Sequence, residues 1–541
     1  MGRRLLRRRL PVGDWQTNLA RFSLAVDAGC RFAGGRLDGN VPPCCRGIAR
    51  DALFGQAKNR SPVNLLANFR TRPHEMFRLS PTVALRSRNS DTLAITTAPV
   101  CDNLPMNSTD TPLPGALSTL RTLPPDLSRV ECERLDALDE LRHARQRFRI
   151  ADNTIYLDGN SLGALPASTA AAVYSTIDSD WGVGLIRSWN NADWVNFPRK
   201  VGELLGPLIG ARADEIVVAD STSANIFKLL SAMLTRPAVL SDTRRRYVLA
   251  ERSNFPTDLY IAQGLLSLLG DRYELKLVDK DALAGAFDHT IAAALITHVD
   301  YRSGAMFDML AYNQHASKAG TSILWDLSHS AGAVVVNLVT DGAEFAVGCG
   351  YKYLNGGPGA PAFLYIRRDL QAELANPLSG WFGHLAPFAF DTAYIPAKGI
   401  DRFLCGTPPI LGMVALREGL ATFEGISPAS LRKKSLALSD LFLALMRAQC
   451  GSLGFACISP VAHIDRGSHL AFAHTDAYPI MQAIIDRGVI GDFRQPNLLR
   501  FGFTPLYTRF TDCWDAVNII RDVVTSQSFR SPTYQHRHQV T

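Results

Sequence analysis

Short apolar segments alternate with helical stretches along most of the chain, and this alternation constrains the fold more than any other feature. Continuous apolar strands between helices are typical of a largely parallel sheet covered on both faces. We therefore predict an α/β fold with a mostly parallel, seven-stranded type of sheet. Six strands are predicted, at Ile216–Ala219, Tyr247–Ala250, Ala294–His298, Ile323–Asp326, Phe345–Gly348 and Phe363–Ile366.

The pattern divides the chain into segments. An amphipathic helix starts near Ser128, so residues 106–165 are predicted to form an N-terminal helical segment and arm, followed by a large domain at 166–410. Residues 411–541 are predicted to form a small α+β domain. Its predicted elements are helices Ile410–Glu424, Ala429–Ala448, Ala477–Asp486 and Asp512–Val524, and strands His469–Ala473 and Leu498–Phe503.

The first 105 residues differ in composition from the rest. They hold 17 Lys and Arg against 7 Asp and Glu, whereas the remaining residues hold 40 against 43. An Arg-rich start is typical of an organellar transit peptide, but about a hundred residues is long for one. We expect a disordered extension, which an upstream extension of the gene model before Met106 also explains.

Composition also limits the kinds of partner. The basic excess is confined to the first fifth, so the main body lacks the concentrated basic face that nucleic-acid binding requires. No apolar run reaches about 18 residues, so we expect no membrane span. The ten cysteines are scattered without metal-ligand spacing, which predicts no metal site and indicates a reducing, cytoplasmic location.

The most informative residues begin where strand Ile323–Asp326 ends. Asp326 follows a buried strand, and His329 comes three residues later. A buried carboxylate needs a cation or several hydrogen-bond donors. A protonated pyridine nitrogen would be such a cation, and the carboxylate would hold the proton that makes the ring an electron sink. A simple helix N-cap is the alternative.

Lys352 follows the next predicted strand and precedes the glycine-rich turn Asn355–Gly359. A lysine at a sheet edge, shortly after small residues and ahead of a glycine-rich turn, suits covalent attachment to a planar aldehyde cofactor in a confined site. A solvated surface lysine is the usual alternative for a lysine chosen at random. The order of Asp326, His329 and Lys352 favours pyridoxal 5'-phosphate (PLP).

Two loops upstream complete a predicted cofactor pocket. Thr222 and Ser223 begin a helix after strand Ile216–Ala219, where backbone N–H groups and the helix dipole favour a phosphate. Phe255, with Pro256, Thr257 and Asp258 behind it, follows strand Tyr247–Ala250 and could stack on the pyridine ring. Ordinary N-capping and a core phenylalanine are the alternatives.

Together, these segments resemble kynureninases, which are PLP enzymes of the fold type I, aminotransferase-like class. The resemblance runs from about Leu141 to Val524. Its motifs are Tyr156–Gly163, Gly184–Asn190, Phe255–Asp258, Asp326–His329, Tyr351–Asn355, Arg500–Phe501 and Thr504–Tyr507. The loop Asp220–Ser223 departs from the Leu-Thr type of pair expected in relatives.

The resemblance implies a homodimer with shared active sites that hydrolyses L-kynurenine or its 3-hydroxy derivative. It implies that Lys352 forms the Schiff base, Asp326 pairs with the pyridine nitrogen and Tyr351 is a proton donor. It also implies that Arg500 clamps the substrate carboxylate and that Trp189 lies near the aryl ring. The implied cofactor residues are Thr222, Ser223, Phe255, Pro256, Thr257, Asp258, Thr297, Asp326, His329, Tyr351 and Lys352, with Trp381 and Thr407 reaching across the dimer interface.

Two other functions compete with kynurenine hydrolysis. A class V aminotransferase or a cysteine desulfurase would share the Asp326, His329 and Lys352 layout. A desulfurase also needs an exposed reactive cysteine, and Cys349 and Cys405 lie instead in motifs beside the cofactor. A non-catalytic PLP-fold binding protein would not need Lys352 with its Asp and Arg partners.

Overall fold

The computed structural model describes residues 128–538. The extension predicted for residues 1–105 lies outside these residues. Helix α1 (Arg129–Leu138) begins at Ser128, whose hydroxyl accepts a hydrogen bond from the Glu131 N–H group. The two-residue strand β1 (Ile155–Tyr156) follows and pairs in parallel with a short strand near the C-terminus.

A seven-stranded sheet forms the centre of the large domain. Its strands are β2 (Ile216–Val218), β3 (Tyr247–Glu251), β4 (Glu274–Val278), β5 (Ile291–Thr297), β6 (Ile323–Asp326), β7 (Phe345–Cys349) and β8 (Ala362–Ile366). Their order is β2-β8-β7-β6-β5-β3-β4, and only β8 runs opposite to the others. The mostly parallel α/β sheet is therefore confirmed, and β2, β3, β5, β6 and β7 all end at the same edge.

Strand β4 is the one strand of this sheet that the sequence did not predict. It reads Glu-Leu-Lys-Leu-Val and is only half-buried, because it lies at the edge of the sheet beside β3. Charged residues alternate with apolar ones there, unlike in the continuous apolar strands of the interior. Its sequence therefore lacks the continuous apolar pattern that indicates a buried strand.

Helices cover both faces of the sheet. The helices of this domain are α2 (Thr169–Ser175), α3 (Ser188–Asn191), α4 (Phe197–Ile209), α5 (Thr222–Leu234), α6 (Pro237–Ser241), α7 (Pro256–Leu268), α8 (Lys280–Leu283), α9 (Met309–Lys318) and α10 (Ile410–Ala421). Val218 and Trp325 face a core that includes Leu205 of α4, whereas Val217 and Leu324 face a second core shared with α5 and α7. The alternation along each strand separates the two cores.

The C-terminal domain is built on a four-stranded antiparallel sheet. Its helices are α11 (Pro428–Cys450), α12 (Ala477–Asp486) and α13 (Phe510–Thr525). The remaining strands are β9 (Ala456–Cys457), β10 (His469–Ala473), β11 (Val489–Ile490), β12 (Asp492–Arg494) and β13 (Leu498–Gly502), and the sheet order is β12-β13-β10-β9. Strand β11 is the parallel partner of β1.

Two segments pack differently from the predicted division of the chain. Helix α10 was predicted to begin the small domain, but Met413 and Leu420 lie in the core of the large domain. Cys132 and Leu135 of α1 lie in the core of the C-terminal domain. The apolar side chains of α10 are thus buried with those of the large sheet.

Across the described residues, no helix is both long and apolar enough to span a lipid bilayer.

Candidate active site

Lys352 lies just beyond the end of β7, and its amine meets an imidazole and two aromatic rings. Nζ lies 3.0 Å from Nε2 of His329. It also lies 5.8 Å from the centre of the Phe255 ring and 5.6 Å from that of Tyr351. His329, Phe255 and Tyr351 lie on three separate segments of the chain. The sequence predicted that these segments surround the amine, and in the structure they lie close together.

The turn that holds Lys352 packs against Gly163. The Gly163 N–H group donates to the Tyr351 carbonyl at 2.8 Å. A Cβ at Gly163 would lie 2.4 Å from the Lys352 carbonyl oxygen and 2.6 Å from Cα of Asn355. Only glycine fits at this contact without moving the turn.

His329 is fully enclosed, and burial together with the nearby Lys352 charge holds its pKa well below the usual value. A neutral imidazole can accept a hydrogen bond from the Lys352 amine at Nε2, which assigns the ring proton to Nδ1. Nδ1 has no hydrogen-bond partner among the described residues. The ring of the buried His469 is 5.7 Å away.

Asp326 ends β6 and is buried beside the amine. Its Oδ1 accepts hydrogen bonds from the Ser328 N–H group at 2.9 Å and the Ser328 hydroxyl at 2.6 Å. Burial raises the pKa of Asp326, and the positive charge of Lys352 opposes this shift. Both hydrogen bonds go to Oδ1, so Oδ2 is left to accept from a ligand.

A second buried carboxylate, Asp258, lies near Asp326. Its Oδ2 is 3.3 Å from Oγ1 of Thr297, which also donates to the side-chain oxygen of Asn254. Burial and the charge of Asp326 both raise the pKa of Asp258 well above its usual value. Two neighbouring buried carboxylates favour a cationic ligand between them and the lysine.

The predicted phosphate residues begin α5. Ser221 is the N-cap, and its hydroxyl accepts from the Ala224 N–H group at 3.3 Å. Thr222 and Ser223 are half-buried, and their hydroxyls form no hydrogen bond with the described part of the chain. Pro256 and Thr257 likewise lie in the first turn of a helix, α7. Both helix starts lie at the sheet edge that carries Lys352.

Arg500 differs from the simple carboxylate clamp that the sequence predicted. The side chain is buried, and Nε donates to Oδ1 of Asp492 at 2.7 Å while Nη2 donates to Oδ2. Nη1 donates to the Tyr301 carbonyl, and Nη2 is also 3.2 Å from the Ser161 hydroxyl. One two-donor edge of the guanidinium is thus occupied by Asp492 of the same chain.

Three predicted residues lie apart from the lysine. Trp189 contacts the ring of Phe382 at 6.0 Å, and Trp381 contacts the same ring at 5.0 Å. Thr407 is exposed and follows Cys405, whose carbonyl accepts from the Phe382 N–H group at 3.1 Å. Trp189, Trp381 and Phe382 thus form one aromatic cluster, and we call this cluster together with the segment Cys405–Thr407 the platform.

The Lys352 cluster fits PLP. A free oxygen of Asp326 suits a protonated ring nitrogen, the Lys352 amine suits an aldehyde, and the start of α5 suits a phosphate. The Phe255 side chain is 38% exposed at the sheet edge, so its ring can stack on a planar ligand. The raised pKa values of the carboxylates agree with a site that receives a cationic group.

Sequence reasoning missed several polar residues around this site. Asp492 and Arg500 lie at equal distances from Pro496 in a hairpin, so cross-strand register could have paired them. Ser328 lies two residues after Asp326, within reach of its carboxylate. His469 and Tyr301 carry no local signal, because only the tertiary fold brings them to the site.

Solved structures share this fold. A cysteine desulfurase from Thermococcus onnurineus aligns with a TM-score of 0.59 and 18% identity, over 71% of this chain and 98% of its own. A cysteine desulfurase from Escherichia coli gives a TM-score of 0.59 and 17% identity, over 72% of this chain and 99% of its own. A C-DES mutant with glycine covalently linked to the PLP cofactor gives a TM-score of 0.60 and 15% identity, over 70% of this chain and 98% of its own. Fold and site together define a PLP-dependent enzyme of fold type I.

Sequence relatives define the family more closely. Residues 431–520 match the kynureninase C-terminal domain model. A kynureninase of Burkholderia mallei is 51% identical over 415 residues, which cover 76% of this chain and 100% of the relative. A kynureninase of Pseudomonas fluorescens is 48% identical over the same shares of the two chains. The chain belongs to the kynureninase family.

Proposed function

We propose that this enzyme hydrolyses L-kynurenine, 3-hydroxy-L-kynurenine or both, giving L-alanine and the corresponding anthranilate in tryptophan catabolism and NAD biosynthesis. The observation that carries this proposal is the identity of about half of all positions with kynureninases over their entire length. The arrangement of Lys352, His329 and Asp326 supports it, because it provides the amine, the imidazole and the carboxylate that a PLP site needs.

When bound, PLP supplies an electron sink that allows bonds next to an amino-acid nitrogen to break. Asp326 would pair with the protonated ring nitrogen through Oδ2, and Phe255 would stack on the ring. Thr222 and Ser223 at the start of α5 would hold the phosphate, and Asp258 with its neighbour Thr297 would line the ring. These residues would hold the cofactor beside Lys352.

Lys352 and His329 handle the proton transfers beside the substrate. Lys352 is the base that removes the α-proton, since its amine lies at the mouth of the cluster and is only half-buried. The neutral His329 accepts a hydrogen bond from the amine at 3.0 Å and so orients it. Burial keeps His329 uncharged, which prevents repulsion between the two groups.

Tyr351 donates a proton either to the carbonyl of the substrate or to the carbon atom that is released when its bond to that carbonyl breaks. Its ring lies 5.6 Å from the Lys352 amine, and its side chain is 38% exposed toward the site. Burial raises the pKa of Tyr351, so the phenol keeps its proton at neutral pH. A protonated phenol next to the base can act as the general acid.

Arg500 binds the substrate carboxylate with the donors that Asp492 leaves free. Asp492 takes the Nε–Nη2 edge and the Tyr301 carbonyl takes one N–H group of Nη1, so the substrate carboxylate binds the second N–H group of Nη1 and replaces the Ser161 hydroxyl on Nη2. Asp492 also keeps the guanidinium from rotating.

The enzyme acts as a homodimer with shared active sites. Trp381 and Thr407 form a platform with Trp189 away from Lys352 of their own chain, as expected if they serve the partner's site. The π-helical segment Thr176–Gly184 and its neighbours expose Trp181, Val183 and Ile186 to more than half of their area. Contiguous exposed apolar side chains are typical of a subunit interface.

We place the enzyme in the cytoplasm. Its six described cysteines are all free thiols, as expected in a reducing compartment. Four of these six are buried and Cys405 and Cys457 are partly buried, so the described part of the chain offers no fully exposed cysteine nucleophile for desulfuration.

The test is an assay with purified enzyme, PLP and L-kynurenine. Formation of anthranilate, read by its fluorescence, together with an equal amount of alanine supports the proposal. Sulfide release from cysteine without anthranilate formation would instead identify a desulfurase. The ratio of kcat/KM for kynurenine and 3-hydroxykynurenine then gives the substrate preference.

A further inference from the structure

Lys228 on α5 is fully buried, which is rare for a lysine. Its Nζ donates to the carbonyl oxygen of Phe403 at 2.7 Å and forms an ion pair with the carboxylate of Asp220. The amine is therefore bound between two segments that are far apart in the sequence. Neither contact belongs to the Lys352 cluster.

Asp220 connects β2 to the phosphate loop. Its backbone is in the left-handed region, with φ of +47°, and its carbonyl accepts from the Ala362 N–H group at 2.9 Å. A residue other than glycine in this conformation costs free energy unless its surroundings hold it there. The ion pair with Lys228 does this one residue before the N-cap Ser221.

Phe403 connects to the platform that carries Trp381 and Thr407. It ends the 3-10 turn Gly399–Phe403, and the chain then passes through Cys405 to Thr407. A Cβ at Gly380 would lie 2.2 Å from the Cys405 carbonyl oxygen, so the segment leading to Trp381 packs directly on Cys405. Whatever holds Phe403 therefore also holds the platform.

We propose that Lys228 is a positioning residue that sets the cofactor phosphate site by joining the Asp220 loop to the Phe403 segment. The proposal rests on the proposed function, in which Thr222 and Ser223 bind the phosphate and Thr407 serves the cofactor site of the partner. One amine in each protomer then fixes two elements. These are the Asp220 loop, which belongs to the protomer's own cofactor site, and the platform, which belongs to the cofactor site of its partner.

Stability alone does not explain a buried lysine at this position. Well-packed apolar residues in place of both Lys228 and Asp220 would avoid the cost of burying charges, and replacing a whole ion pair in this way often gives an equally stable protein. They could not bond to a carboxylate and a carbonyl at once. The amine specifically fixes the distance between the Asp220 loop and the Phe403 segment. A change in this distance is measured as a change in the affinity for the cofactor.

The experiment measures PLP affinity in Lys228→Met and Asp220→Asn variants. Each holoenzyme is dialysed to equilibrium against graded PLP concentrations, and bound PLP is read by absorbance. We expect the dissociation constant for PLP to rise by about tenfold or more in both variants, with kcat largely restored at saturating PLP. Because both variants remove the same ion pair, the double variant should be weakened by less than the product of the two effects.

The matched control is Lys434→Met. Lys434 on α11 is also buried and forms an ion pair with the buried Asp139 at 2.7 Å, away from the phosphate loop. It should lower the thermal midpoint without changing PLP affinity. If Lys228→Met does not fold, Asp220→Asn decides, because Asp220 is 34% exposed and tolerates an amide.

A PLP dissociation constant within about twofold of the wild-type value in the variants that fold would overturn the proposal. So would an equal loss of affinity in the Lys434→Met control, since Lys228 would then act only through general stability. PLP binding is measured without kynurenine. A protein that binds PLP but leaves kynurenine intact would refute the proposed reaction and leave this inference standing.

Discussion

The environment of Lys352 sets the first expectation at the scale of single residues. Its Nζ contacts His329 and lies near two aromatic rings, none of which depends on the amine for packing. Lys352→Ala should therefore fold with a thermal midpoint near the wild-type value but lose almost all anthranilate formation, because the covalent attachment and the base are both removed. Thermal unfolding and the fluorescence assay measure the two effects. Full turnover by this variant would rule out the role of Lys352.

Arg500 gives a second residue-scale prediction. Arg500→Lys keeps a positive charge but loses the planar pair of donors. We expect the KM for kynurenine to rise about ten- to a hundredfold, equivalent to about 1.5–3 kcal/mol, with PLP affinity little changed. Steady-state kinetics and PLP dialysis separate the two effects. An unchanged kcat/KM would remove Arg500 from the substrate site.

Individual residues could be predicted where chemistry and chain order coincide. Asp326, His329 and Lys352 follow successive buried strands, so the parallel sheet alone brings them to one edge. The ion pair of Arg500 with Asp492 was missed because it depends on hairpin register. The position of His469 beside His329 depends on how two domains pack, and no local pattern records this.

At the scale of elements, the contact between Gly163 and the Lys352 turn gives a third prediction. A methyl group at Gly163 would collide with the backbone at Lys352 and Asn355. Gly163→Ala should lower the free energy of unfolding by about 1–3 kcal/mol and reduce kcat, since the turn must move. Urea denaturation and steady-state kinetics measure both.

Gly264 is the matched control for this substitution. It lies in the interior of α7, and a Cβ there would meet no atom within 4 Å. Gly264→Ala should raise the free energy of unfolding by about 0.5–1 kcal/mol through helix propensity, with unchanged kcat. Wild-type stability and turnover in Gly163→Ala would show that the turn adapts to a side chain.

The elements themselves were predicted unequally. The six buried strands and the helix Ala477–Asp486 were predicted close to their observed bounds, because period and burial agree there. Strand β4 was missed at the sheet edge, and the two-residue strands β9 and β11 are too short to produce a periodic pattern. Helix α10 was predicted as an element, but which core it joins is a property of tertiary packing.

At the scale of the whole molecule, three buried histidines make stability depend on pH. Burial lowers the pKa of His298 to about 4 and that of His469 to about 3, and it lowers the pKa of His329 strongly. Below a pH of about 6.5 the histidines of the unfolded protein bind protons, whereas these three buried histidines of the folded protein stay neutral. Stability therefore falls as the pH falls. The stability that these neutral rings contribute is complete above that pH.

His469→Gln tests this dependence. Removing one such group should make the fall in unfolding free energy below pH 6.5 shallower by about 1.4 kcal/mol per pH unit. Urea denaturation at several values between pH 7 and pH 5 measures the slope for the variant and the wild type. Parallel curves would mean that His469 binds protons as readily in the folded protein as in the unfolded one, contrary to its complete burial.

The length of the chain gives the last prediction. Every residue placed in the site and all three apolar cores lie within residues 128–538, and the kynureninases of Burkholderia mallei and Pseudomonas fluorescens match this chain over their whole length in 415 residues. An enzyme shortened to begin at Met106 keeps all of these residues. We therefore expect kcat/KM, PLP affinity and the thermal midpoint to stay at full-length values. An insoluble or inactive shortened enzyme would show that residues 1–105 contribute to folding or to the site.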